Sequence, residues 1–185
     1  MDGVRRGFRG VANSVEIEGL AEPLVEFETE LPKHKKRALN IVSARPITRN
    51  AMEKRLKELG ESAENAAEAA DWLADIGLID DAAYAAEVVR VYTKRGYGLQ
   101  RVRDELYKKM VPRELWDEAL SEICDGEPVA AAVEFIARKM RGELPDFDDR
   151  RRVGAALVRR GHSWDDINSA FAKYAENLEE DEEFH

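Results

Sequence analysis

The 185-residue chain is 44% hydrophobic and 36% charged, with one cysteine, three histidines and a formal net charge of −9. That apolar fraction is enough to fold, whereas the lone Cys124 and the dispersed His34, His162 and His185 give no internal disulfide and no cluster at metal-ligand spacing. No apolar run approaches the ~18 residues of a membrane-spanning helix and Met1–Gly10 leads into no signal-peptide core, so the expectation is a cytoplasmic monomer without metal or cofactor.

Charge is unevenly spread. Residues 1–32 carry seven acids and three bases, and Glu176–His185 carries six acids and no base, so the segment between them holds 26 Lys/Arg against 25 Asp/Glu. The middle can therefore present basic faces to a polyanion while both ends stay acidic. Residues 1–32 alternate loosely (Val15, Ile17, Leu20, Val25, Phe27) and are broken by Pro23 and Pro32, which reads as a flexible or weakly structured arm.

From Lys33 onward apolar residues recur at spacings of three and four between turn signals, the pattern of consecutive short amphipathic helices. The first spans about Lys33–Ala44, with Ala38, Leu39 and Val42 inward, and Pro46 ends it. The second, about Thr48–Leu59, has Thr48 as N-cap, Met52, Leu56 and Leu59 on one stripe, and Gly60 at its exit. The third, about Ala63–Ile76, follows Ser62, buries Ala66, Ala69, Ala70, Leu73 and Ile76, and ends at Gly77.

The arrangement then recurs over Asp81–Lys94, Leu99–Met110 and Pro112–Ile123. Arg45 aligns with Arg95 and Leu56 with Leu106, each pair offset by 50 residues, so the chain carries a helical repeat. A third copy comprises Pro128–Met140, Asp146–Arg160 and Ser163–Ala175, with Ser163 and Asp166 spaced as a capping box. The predicted organisation is an N-terminal arm over 1–32, three-helix repeats over 33–79, 80–125 and 126–176, and an acidic tail over 177–185. The tail holds only Leu178 and Phe184 as large apolar residues and is expected to stay mobile, competing with phosphates for basic side chains.

Four stretches in register resemble the RecX regulatory family, which modulates the RecA recombinase: Ala38-Leu39…Arg45…Arg55-Leu56…Gly60, then Gly77-Leu78-Ile79-Asp80-Asp81…Tyr84-Ala85, then Gly96…Gly98…Arg101-Val102…Glu105-Leu106, and Arg159-Arg160-Gly161 followed by Trp164…Ile167. The likeness covers about Lys36–Ala175. It implies an all-α fold of three tandem three-helix repeats in an elongated, curved array that lies in the groove of the RecA filament on single-stranded DNA and inhibits strand exchange and ATP hydrolysis. Two positions depart from the family pattern: His162 stands where a Phe is usual, and Met110 where a Gly often ends the helix.

No nucleophile elbow, phosphate loop, His-Glu-x-x-His or Cys-x-x-Cys occurs, so no catalytic residue is assigned. Asp80 and Asp81 are read as a helix cap and a charge complementing the helix's positive end, in preference to an acid/base or magnesium pair. Gly96-Tyr97-Gly98 is read as a helix-ending turn in preference to a phosphate cradle, and Tyr84, Trp116 and Trp164 as core residues in preference to base-stacking platforms. The functional lead is the basic set: Lys35, Lys36, Arg37 and Arg45 in the first repeat, Lys94, Arg95, Arg101, Arg103, Lys108 and Lys109 in the second, and Arg150, Arg151, Arg152, Arg159 and Arg160 in the third. Two readings stand side by side for it: a solvated face paired with acids, or a stripe running across the repeats that meets RecA and single-stranded DNA. A stand-alone nucleic-acid-binding protein of trihelical units is the alternative function.

Overall fold

In the computed structural model, residues 31–121, 123 and 127–183 are described. The expected N-terminal arm lies, but for its last two residues, outside them. The described residues contain nine α-helices, one 3₁₀ turn and no strand: α1 (Lys33–Ala44), α2 (Arg49–Glu58), α3 (Ala63–Asp75), α4 (Asp81–Lys94), α5 (Leu99–Lys108), the 3₁₀ turn Arg113–Leu115, α6 (Trp116–Ser121), α7 (Glu127–Met140), α8 (Phe147–Arg159) and α9 (Trp164–Glu183).

The helices begin where short polar side chains can satisfy free backbone donors. Thr48 accepts from the Ala51 N–H at 3.3 Å, Ser62 from Asn65 at 3.1 Å, Asp80 from Ala83 at 2.8 Å and Asp146 from Asp149 at 2.7 Å. At α9 the expected capping box forms in both directions: the Asp166 N–H donates to Ser163 Oγ at 3.0 Å, and the Ser163 N–H donates to Asp166 Oδ2 at 3.3 Å.

Each set of three helices closes its own core. Ala38, Met52, Leu56, Ala66, Ala69, Ala70 and Leu73 are fully buried between α1, α2 and α3. Between α4, α5 and α6 the buried set includes Val89, Val102, Leu106 and Trp116, whose indole N–H donates to the Val111 carbonyl at 3.1 Å. Between α7, α8 and α9 it includes Ile136, Leu157, Ile167, Phe171 and Tyr174. Burying a side chain of this size contributes roughly 1.5–3 kcal/mol, so each set has a core of its own to hold it in register.

The first and second sets are tied by polar contacts between helix ends. The fully buried Thr48 hydroxyl donates to the Lys109 carbonyl at 2.8 Å, the Asn50 amide donates to the Met110 carbonyl at 3.3 Å, and the Arg49 N–H donates to Asp81 Oδ1 at 2.9 Å. Asp80 thus caps α4 as expected, while Asp81 reaches across to α2. Burial pushes the Asp81 carboxyl above its ordinary value, and the Arg49 N–H and charge oppose that shift.

Four sequence expectations need correction. Ile76, expected in the first core, is 48% exposed, because α3 ends at Asp75 and Ile76 is its C-cap residue, off the buried stripe. Trp164, expected in the core, is 62% exposed: it stands at the first position of α9, with its indole beside Gly154 of α8. The segment expected to be a helix from Pro112 to Ile123 starts as the 3₁₀ turn Arg113–Leu115 and becomes α-helical only from Trp116. The last helix continues past Ala175 to Glu183, so residues 177–183 are helical: Leu178 lies one turn beyond Tyr174 and packs against the third core, which carries the helix on despite its acids.

Candidate nucleic-acid interface

The second and third sets meet backbone to backbone. Helix α4 exits through Gly96 in the left-handed region (φ 69°), and Gly98 precedes α5 with no capping side chain. The free donors at this helix start are taken by the α8–α9 turn: the Gly98 N–H donates to the Arg160 carbonyl at 3.0 Å and the Gln100 N–H to the Gly161 carbonyl at 3.1 Å. Gly96-Tyr97-Gly98 is therefore a helix-ending turn and a docking point whose N–H groups are already engaged by protein carbonyls. The approach requires glycine on both sides. A Cβ on Gly98 would collide with the Gly161 carbonyl, and one on Gly161, itself at φ 86°, would collide with the Arg101 backbone.

Arg160 brackets this joint. Its Nη2 donates to the Arg95 carbonyl at 2.7 Å and its Nε to the Gly96 carbonyl at 3.3 Å, while the guanidinium lies 4.5 Å from the Tyr97 ring centroid and 5.2 Å from that of Phe135. Arg101 approaches Tyr97 at 5.8 Å, and the Tyr92 and Tyr97 rings pack with centroids 5.5 Å apart. Arg101 and Lys108 each lie 3.0 Å from a carboxylate oxygen of the buried Glu105. Burial alone would raise the Glu105 carboxyl. Hydrogen bonds from Lys108 and Tyr92, with the charges of Lys108 and Arg101, outweigh it and hold the group below its ordinary value.

His162 completes the joint, 4% exposed, with Nε2 3.2 Å from the Gly96 carbonyl. Burial pushes its pKa below the ordinary histidine value; the Gly96 carbonyl and the Asp166 charge oppose this, and Arg160 adds to it. A depressed folded-state pKa means that the stabilising contribution is fully present above the unfolded value near 6.5 and is lost as pH falls through the folded value. The expected result is that wild-type melting temperature declines from pH 7.5 to pH 5.5 more steeply than that of His162→Phe, with a difference bounded by about 1.4 kcal/mol per pH unit. Parallel melting curves across that range would mean that His162 titrates as it does in the unfolded chain.

The remaining cations of the basic set are dispersed. Lys35 pairs with Glu68 at 2.8 Å and lies over the Trp72 ring, Arg37 pairs with Glu61, and Lys36 is exposed beside them. Arg45, Lys94, Arg103, Lys109 and Arg159 are exposed, and Arg95 lies over the Tyr92 ring. On the first turns of α8, Arg150 lies over the Phe171 ring at 5.1 Å, Arg151 pairs with Asp148 at 3.7 Å and Arg152 with Asp149 at 2.6 Å. The Arg151 and Arg152 side chains are still 77% and 74% exposed, and such surface pairs are worth only about 0–1 kcal/mol, so these cations can exchange a carboxylate for a phosphate. The structure brings Arg95, Arg101 and Arg160 together around the tyrosine pair and leaves Arg150–Arg152 as a separate exposed cluster. Tyr107 and Arg113 lie outside the residues singled out from the sequence, and the structure exposes Tyr107 (70%), which adjoins Leu106 and so falls off the apolar stripe of its helix, and sets Arg113 over the Trp116 ring.

Residues 80–120 match the family model described as RecX, second three-helix domain, and residues 125–171 match RecX, third three-helix domain. The chain belongs to the RecX family. Regulatory protein RecX of Escherichia coli (strain SE11) is 26% identical over 151 residues, covering 76% of this chain and 90% of that protein. The protein of the same name from Shigella dysenteriae serotype 1 (strain Sd197) gives the same identity and coverage. Among solved structures, RecX from Lactobacillus salivarius superposes with a TM-score of 0.67 at 24% identity over 77% of this chain and 95% of that one. A second regulatory protein RecX gives a TM-score of 0.64 at 25% identity over 75% of this chain and 70% of its own. The joint of Gly98 with Gly161 thus connects the second and third domains of a RecX fold, an all-α repeat of three-helix domains. Among the described residues no helix is long and apolar enough to cross a membrane, and no group of His, Cys, Asp or Glu could hold a metal ion.

Proposed function

We propose that this RecX-family protein is a non-catalytic, cytoplasmic regulator that binds as a monomer along the groove of the RecA filament on single-stranded DNA and inhibits recombination. The observation carrying the reading is family membership across two consecutive three-helix domains. Its physical counterpart is the joint of Gly98 with Gly161. A backbone-to-backbone contact without intervening side chains holds neighbouring domains at one separation, which is what a wedge spanning several filament subunits needs in order to resist their rearrangement. The exposed cations of α8, α4 and α1 would meet phosphates, and the acidic C-terminal end would oppose binding to bare DNA.

The test is the DNA-dependent ATPase of RecA with this protein titrated in. Inhibition at sub-stoichiometric to near-equal ratios is expected, and no effect at saturation would overturn the reading. Combined reversal of Arg150, Arg151 and Arg152 to Glu should weaken inhibition about tenfold and reduce the salt slope of binding by up to about 2, at ~0.7 per phosphate contact on single strands. Helical content should be unchanged and stability within about 1 kcal/mol, from two lost i,i+3 pairs and the repulsion that replaces them. The alternative, a stand-alone nucleic-acid-binding protein, predicts equally tight binding to the oligonucleotide with RecA absent.

A further inference from the structure

Tyr107 is 70% exposed on α5, and it stands between two concavities. One, of about 460 Å³, is lined in part by Gln100, Arg103 and Asp104; the other, of about 760 Å³, by Asn50, Lys54 and Met110. Tyr107, Arg113 and Trp116 line both and so form the ridge that divides them. The ridge is built on a fixed base. Trp116 is 9% exposed, is anchored through its indole N–H to the Val111 carbonyl, and holds the Arg113 guanidinium 4.8 Å from its ring centroid. The groove floor crosses from the first domain to the second, and the Thr48 and Asn50 bonds to the Lys109 and Met110 carbonyls close the seam beneath it. At the same seam Met110 takes the left-handed conformation (φ 57°) that ends α5, and it lines the larger concavity.

Charge narrows the ligand. Five cations line the two concavities (Arg49, Lys54, Arg103, Lys108, Arg113) against the three acids Asp104, Glu114 and Asp117, a net +2 in a chain whose net charge is −9. Arg49 and Lys108 are engaged by Asp71 and Glu105, whereas Lys54, Arg103 and Arg113 are exposed and form no ion pair with a described residue. Unpaired cations on both sides of an open aromatic ring suit a chain of phosphates whose bases can leave the stack. A duplex keeps its bases closed to such a ring, but a single strand does not.

We infer that the Tyr107 ridge is a single-stranded nucleic-acid site, in which the phenol ring stacks on an unpaired base while Arg113, Arg103 and Lys54 hold the flanking phosphates. The site deepens the proposed function by naming where single-stranded DNA would be held. It differs from the arginine cluster on α8 and rests on the reading that DNA is a partner.

The experiment uses the full chain and a short poly-dT oligonucleotide carrying one 2-aminopurine, followed by fluorescence anisotropy and by quenching of the aminopurine. Tyr107→Ala should weaken binding about 5- to 100-fold, the equivalent of one base–aromatic stack, and abolish the quenching. Tyr107→Phe should retain both, and an oligonucleotide duplex of the same length should be insensitive to either substitution. Circular dichroism checks folding, which an exposed side chain should not disturb. The inference is overturned if Tyr107→Ala binds and quenches like wild type, or if wild type does not bind the oligonucleotide. RecA ATPase inhibition measured on the same two proteins separates the claims: wild type that inhibits RecA without Tyr107-dependent quenching loses this site and keeps the proposed function. Wild type that quenches but leaves RecA untouched keeps the site and loses the proposed function.

Discussion

Replacing Gly161 by alanine is expected to destabilise the protein by about 2–4 kcal/mol and to abolish inhibition of RecA. Two costs combine there. The φ of 86° is strained for any residue with a Cβ, worth about 1 kcal/mol, and the added methyl would collide with the Arg101 backbone, where overpacking costs about 1–3 kcal/mol. The glycines of this fold allow the costs to be measured apart. Gly60 has φ 89° with nothing within 4 Å of an added Cβ, so Gly60→Ala isolates the strain. Gly98 has φ −74° and an added Cβ would strike the Gly161 carbonyl, so Gly98→Ala isolates the collision. Urea unfolding followed by circular dichroism should rank the losses as Gly161→Ala, then Gly98→Ala, then Gly60→Ala, with only the first two impairing RecA inhibition. Gly98→Ala matching wild type within about 0.5 kcal/mol would mean that the joint between the second and third domains yields in solution and holds no fixed separation.

The helices were legible because their signals are local. Thr48, Ser62 and Asp80 cap helices where the sequence places them, and the first two cores draw on the expected stripes, Met52 and Leu56, then Val102 and Leu106. What was not legible is how one three-helix set meets the next. Periodicity states which face is apolar, not what covers it, and the ties between sets run through backbone carbonyls that every residue carries. Nothing in the letters around Lys109 announces that its carbonyl receives Thr48, nor at Arg49 that its N–H goes to Asp81. Trp164 was misplaced for the same reason, since an aromatic at helical spacing does not say whether another element covers it. The basic set suffered most. A list of cations cannot separate those facing solvent from those turned inward, and Arg101 and Arg160 are both committed to the joint around Tyr97.

Arg160 therefore gives the sharpest test of that distinction, and Arg160→Lys should cost about 1.5–2.5 kcal/mol although it conserves the charge. The guanidinium donates through two different nitrogens to the Arg95 and Gly96 carbonyls while its plane covers Tyr97 and Phe135. An ammonium at the end of a flexible stem cannot span two carbonyls and stack at once, and hydrogen bonds from a charged donor contribute roughly 1.5–3 kcal/mol. A phosphate contact would behave oppositely, because lysine serves nearly as well as a point charge on a polyanion. Stability and binding should thus separate the roles: Arg160→Lys lowers the unfolding midpoint and leaves the salt slope of DNA binding as it was, whereas the reversal of Arg150–Arg152 leaves the midpoint nearly in place and flattens the slope. If Arg160→Lys unfolds like wild type, and the charge-removing Arg160→Ala reduces the slope by about 0.7, the arginine faces the nucleic acid and the bracket over Gly96 does not hold the domains together.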